Sequence, residues 1–366
     1  MKNRIFVAIL AACLLFLSVG TLAAPKKDYS ETENRYLAEF PALSAETVLD
    51  GRFTQGVSKW CADHFIFRDL WVSVKTLCDR AALKTSENGV YRARDGSFID
   101  SFDSQEDFYA NLASVEKFAD GFEGSFRFII APNRAQIYPE LLPALAPVAD
   151  SAPLYGAASA AAGYVDTVAP IRERAALDPG AGLYYLTDHH WTDEAAFIAY
   201  NAYRESLGLA PRDAGDFSVG TVAEDFYGTT WSRYGLFVRN GGDAISAPEL
   251  GKMTVTDSKG TVTDSIYHTE ALEQKDKYTY FLGGNDGLVT VETGSEGGTL
   301  LLVKDSYANC VLPYLCSDYA KIYVVDLRYY KGSVSGLIKD GGVTDALFLY
   351  NLKSFCEDKY VRFVNY

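Results

Sequence analysis

Residues 183–203 read LYYLTDHHWTDEAAFIAYNAY. The apolar, aromatic start at 183–186 has the pattern of a short buried strand. Thr192 is placed to cap a helix, with Asp193 and Glu194 in its first turn; the helix is expected to run to about residue 207, with Gly208 just past its end. Asp188, His189 and His190 therefore fall on a strand-to-helix loop, the place where α/β folds put their chemistry. In extended chain Asp188 and His190 point to the same side. An aspartate beside a histidine orients the ring and favours its cation, so ester turnover would rise with pH through roughly 6 to 8. His189 points the other way and reads as structural, with the role of base as its alternative.

A nucleophile has to come from elsewhere. Residues 299–303 (TLLLV) form a continuous apolar run that leads into Lys304-Asp305-Ser306-Tyr307-Ala308-Asn309. A serine after a buried strand and before a helix-like apolar segment (310–315) has the setting of a nucleophile elbow, with helix N–H groups for an oxyanion. Taken alone, Ser306 is equally a helix cap; paired with Asp188 and His190 it is the better nucleophile. Further apolar runs at 126–131, 322–325 and 346–350, with a helix expected at 157–176, argue for a parallel sheet covered on both faces. Residues 241–298 differ in character. Segments 253–267 and 278–291 each read as a hairpin, a β-rich insertion apart from the parallel sheet.

At the N-terminus, Lys2 and Arg4 precede an apolar run that ends near residue 24. It serves either as a cleaved signal, with Thr21-Leu22-Ala23 near the cut, or as an uncleaved anchor. Either use exports the body of the protein. Residues 25–85 read as a helical arm too short for a core of its own, and 86–366 as the α/β body with a hairpin at 88–99. The net charge of −14 argues against a nucleic-acid partner. Six cysteines show no CxxC spacing, so no zinc site is expected; one disulfide, such as Cys61 with Cys78, stays open.

TDHHWT before a helix, KDSYAN after a strand, and Asp326-Leu327-Arg328-Tyr329-Tyr330 after the next strand resemble the DHHW family. So do Glu33-Asn34-Arg35, Phe40-Pro41 and the stretch DHFIFRD from Asp63. That family is similar to the SGNH-hydrolase-like proteins that O-acetylate alginate and other exported polysaccharides, whose Asp-x-His motif precedes the serine. The resemblance implies a three-layer α/β/α fold with a parallel central sheet, a helical N-terminal arm and a β-hairpin insertion. It implies Ser306 as nucleophile, His190 as base and Asp188 as its orienting acid, with neither cofactor nor metal. It implies an extracytoplasmic protein, secreted or anchored, acting on a polysaccharide as transferase or esterase, with a membrane-bound acyltransferase as source of the acyl group. One departure is Lys304, where SGNH enzymes carry the glycine of Gly-Asp-Ser. Asn133, Arg134, Trp191, His189 and Tyr307 are candidates for substrate contact. Two other functions fit the residues: a non-catalytic polysaccharide-binding protein on the same fold, and a metal-dependent phosphoesterase using Asp188, His189 and His190.

Overall fold

Strand β1 (Ser125–Ala131) begins a seven-stranded sheet completed by β2 (Thr254–Thr256), β3 (Val262–Thr263), β4 (Leu288–Glu292), β5 (Thr299–Lys304), β6 (Lys321–Val325) and β7 (Asp345–Asn351). The order across the sheet is β3-β2-β4-β6-β5-β7-β1. The four strands β6, β5, β7 and β1 are parallel, and β4, β2 and β3 add an antiparallel edge. The structure is a computed structural model that describes residues 2–102, 104–239 and 241–365.

The parallel strands are apolar throughout because both faces are covered. On one face Phe128, Leu301, Val303, Phe348 and Tyr350 pack with helices α1 (Phe108–Gly121) and α2 (Ala152–Ala160). On the other, Ile129, Leu300, Leu302, Val324 and Leu349 pack with helices α3 (Val168–Leu177) and α4 (Asp193–Ser206). This is the expected three-layer α/β/α arrangement around a mostly parallel central sheet. Each of Leu300, Leu301 and Leu302 is fully buried, contributing about 1.5–3 kcal/mol of transfer free energy apiece.

Three expectations are corrected. The segment 183–186 joins no sheet. Tyr184 makes only an isolated antiparallel bridge to Trp191, and Thr192 N–H donates to Leu183 O at 3.0 Å, so the stretch folds back on itself as a tight loop. Leu183, Tyr184 and Tyr185 are buried, Tyr185 against Phe226 and Tyr278, whereas Leu186 is exposed. The helix expected at 157–176 is two helices, α2 and α3. Between them Gly163 adopts φ +76°. The chain there runs beside Phe128, whose N–H donates to Gly163 O at 2.8 Å. Finally, the β-rich segment is part of the sheet. Residues 254–263 form the expected hairpin, but β4 pairs with β6 and β2, while residues 277–280 form a 3-10 turn.

N-terminal to the body, Lys2–Ala23 is one apolar helix, long enough from Asn3 to cross a bilayer. The arm contains helices Arg52–Asp63 and Arg68–Ala81. It meets the body at Thr76, whose hydroxyl donates to Gly235 O at 3.3 Å, and through Lys75 and Lys84, which pair with buried Glu87. Cys61 and Cys78 are both free.

Candidate active site

The C-terminal ends of β5, β7 and β1 lie side by side and carry Asp305-Ser306, Asn351 and Asn133. Asn351 donates its backbone N–H and its side-chain amide to Asp305 Oδ2 at 2.9 and 2.5 Å. Asn133 donates to Asn351 Oδ1 at 3.0 Å. Asp305 caps the 3-10 turn Ser306–Cys310 by accepting from Tyr307 N–H at 2.9 Å. The cap is therefore Asp305, which leaves Ser306 at the first position of the turn. Among the described residues no acceptor takes its N–H.

Ser306 Oγ lies 2.7 Å from His190 Nε2, and His190 Nδ1 lies 2.5 Å from Asp188 Oδ1. The three residues converge, but by a different local geometry from extended chain. Asp188 Oδ1 also accepts from His190 N–H at 3.1 Å, an Asx-type turn that folds the carboxylate back onto the ring. The loop is latched from outside by buried Asp243, which accepts from the N–H groups of Leu186 and Thr187 at 2.7 and 2.8 Å.

Asp188 Oδ2 is held by Thr229, through its N–H at 2.6 Å and its hydroxyl at 2.9 Å. Gly228 precedes it, and a Cβ there would overlap the Asp188 carboxylate. Tyr278 lies flat on the His190 ring, 3.8 Å between centroids and 12° between planes, and its hydroxyl donates to Ser306 O at 3.1 Å. Gly228, Thr229, Tyr278 and Asp243 carried no motif. The one local signal among them is the glycine of Tyr227-Gly228-Thr229-Thr230, a residue type that favours loops.

Burial, and then the charge of neighbouring His189, push the His190 ring down to about 4 against the pull of Asp188. Asp188 does raise it, as expected, but the net shift is downward because burial and His189 outweigh Asp188. At His189 burial also lowers, but Asp188 outweighs it and the net direction is upward. The Asp188 carboxyl, which burial alone would raise, is held well below the usual range by the two histidines. The cluster therefore favours a proton on His189 over one on His190, which suits the His190 ring to accept a proton.

The remaining candidates are drawn into structural contacts. Trp191 is fully buried with its N–H on Tyr307 O at 2.9 Å, leaving no face for a sugar. Tyr307 is fully buried, its hydroxyl donating to His189 O and accepting from Asn133 at 3.1 Å. Arg134 is buried against Tyr185 O and Asp95, both at 3.0 Å. Asn133 is buried as well, a helix cap that also accepts from Lys353 N–H. These four brace the site without facing a ligand. His189 alone of the group is open, its side chain 26% exposed, with Nδ1 2.7 Å from Thr229 Oγ1. Lys304 turns away and donates to Asn309 at 2.7 Å.

Asp188, His189 and His190 bring donor atoms within 4.8 Å of one another. Both ring nitrogens of His190 are committed to Ser306 and Asp188, and both Asp188 oxygens are occupied. A metal would have to displace these bonds, so the donor set suits proton transfer better than metal binding.

The motif order, the parallel sheet and the Asp188–His190–Ser306 geometry all lie in one region. Residues 176–325 match the DHHW protein family. The DHHW stretch thus spans α4, the antiparallel edge, β5 and β6. The fold resembles a crystal structure of a DHHW family protein from Eubacterium siraeum, with 22% identity and a TM-score of 0.61 over 75% of this chain and 95% of that one. Bacillus cereus PatB1 aligns with 17% identity and a TM-score of 0.62 over 75% and 99%; a second PatB1 structure carries a sulfonyl adduct. The O-acetyltransferase domain of Pseudomonas putida AlgJ aligns at 16% identity and a TM-score of 0.48, over 74% and 93%. At these identities the likeness is one of fold. No curated protein matches the sequence.

Proposed function

We propose that this protein is an extracytoplasmic serine acyltransferase or esterase acting on the O-acyl groups of a polysaccharide. The observation that carries the reading is the 2.7 Å approach of Ser306 Oγ to His190 Nε2, with the other ring nitrogen held by Asp188. His190 takes the hydroxyl proton as Ser306 attacks the acyl carbonyl, and Asp188 stabilises the imidazolium that results. Ser306 N–H is the backbone donor available to the developing oxyanion. The leaving oxygen receives the proton from His190, and an acyl-serine remains. A sugar hydroxyl or water then takes the acyl group with His190 again as base. The O-acetyl preference follows the resemblance of TDHHWT and KDS to the polysaccharide O-acetylating proteins, and the apolar N-terminal helix suits export.

The test is incubation with p-nitrophenyl acetate and, separately, with a sulfonyl fluoride, the reagent class suggested by the adduct on PatB1. The expected result is a burst of p-nitrophenol and a covalent mass increment on the peptide containing Ser306, both absent in Ser306→Ala. An unlabelled Ser306 with no turnover would overturn the reading.

A further inference from the structure

A groove of about 820 Å³ lies between the arm and the body, which is ample for several sugar rings. One wall is the arm hairpin formed by Tyr29–Ser30 and Arg35–Tyr36. The other comes from residues 225–227, Arg239 and 273–277. This second wall is continuous with the site. Tyr227 is followed by Gly228 and Thr229, which pack on and bond to Asp188. Asp276 stands two residues before Tyr278, whose ring covers His190.

The lining has the make-up of a carbohydrate site. Tyr36 is 81% exposed and stands edge-on to Tyr29, 5.4 Å between ring centroids, an aromatic platform without a protein partner on its outer face. The groove's cations are Arg35, Arg239, Lys275 and Lys277. Its acids are Glu31, Asp225, Glu273 and Asp276. The two sets are equal in number, so the groove has no net charge, while the whole chain carries −14. A polyanion would gain nothing inside the groove and be repelled on approach. Two of these charges, Lys275 and Asp276, form no salt bridge among the described residues. Lys275 bonds a carbonyl, that of Tyr227, and lies over the Trp231 ring at 5.0 Å, with no carboxylate in ion-pair reach among the described residues. The Asp276 carboxylate accepts from Asn34, at 3.3 Å, and its charge and that of Lys275 act on each other. Both are placed to bond hydroxyl groups.

We propose that this groove binds the acceptor glycan and selects a neutral polysaccharide over a polyuronate, leading the chain past His189 to Ser306. The word acceptor rests on the acyl-transfer reading above; glycan binding does not. The test uses the full chain in detergent as Ser306→Ala, so that nothing turns over. Binding of cellohexaose, chitohexaose and hexagalacturonate is measured by calorimetry and saturation-transfer NMR. A neutral hexasaccharide is expected to bind, hexagalacturonate more weakly, and Tyr36→Ala to weaken the neutral ligand by about tenfold. Tyr36 is so exposed that its loss should not unfold the protein; Asp276→Asn is the second variant and should weaken the same ligand. Failure of both neutral sugars to bind, tighter binding of the uronate, or indifference to both substitutions would overturn the assignment. If neutral sugars bind but Ser306 never acylates, the groove stands and the acyl-transfer reading falls; the converse result reverses this.

Discussion

The pair at residues 189 and 190 divides two tasks that a single histidine would have to combine. Asp188 pulls His189 toward its charged form, and His189 in turn pushes His190 down. A base must be unprotonated to accept the Ser306 proton, so activity is lost as pH falls through the base's own pKa. With His190 near 4, ester turnover should be flat from pH 6 to 8 and fall only below about 5. A pH–kcat/KM profile checks this; a midpoint near 6.5 would mean that His190 is not shielded as described. In His189→Ala the lowering charge is gone, and the acid limb should move to higher pH with turnover on the plateau still measurable. Ser306→Ala and His190→Ala should each cost on the order of 10⁶ in kcat, with the double variant little worse, and Asp188→Asn on the order of 10⁴. Gly228→Ala would press a methyl into the Asp188 carboxylate. A displacement of about 1 Å there should cost about 10²-fold in kcat. Asp188, His190 and Ser306 were legible because short motifs carry them. Gly228, Thr229 and Tyr278 were not, because they reach the site from distant loops with no pattern of their own.

Strands showed themselves in the sequence wherever both faces are buried, since a run such as TLLLV has few other uses. The same rule misread residues 183–186, a loop whose first three side chains are buried among aromatic neighbours without pairing in any sheet. It also gave no sign that β4 would join the sheet edge, since pairing partners are not encoded in local pattern. The strand ends are where element and site meet. Asn351 ties β7 to Asp305 and, through Asn133, to β1. Asn351→Ala removes a donor from a buried carboxylate and should cost about 1–3 kcal/mol in denaturant unfolding. It should also lower kcat more than it raises KM, because the Ser306 turn loosens; equal stability with unchanged kcat would assign the tie no part in holding that turn.

Across the molecule, apolar exposure is concentrated in the N-terminal segment. Leu43, Leu49, Phe67 and Leu70 are all exposed in the arm, Leu49 at 88%, beside the apolar helix Lys2–Ala23. Exposed apolar side chains in this number favour association with lipid or with other copies. Protein lacking residues 1–24 is therefore expected to self-associate without detergent and become monomeric with it, as read by light scattering. Leu49→Glu with Leu70→Glu should abolish that dependence. The arm's helices were visible as periodic patterns, but which of their faces would stay uncovered depends on packing that no local stretch records.

β1 has one neighbour in the sheet, β7, and the two strand ends that meet through Asn133 and Asn351 are 218 residues apart in the chain. The sheet is thus closed by a strand synthesised long after the first, and β5, which presents the serine, is flanked by that same late strand. A nascent or translocating chain holds its histidines and its serine but has no frame to bring them together. On the acyl-transfer reading Ser306 is silent until β7 arrives, so truncation ahead of that strand should yield a product that is inert, not merely weakened.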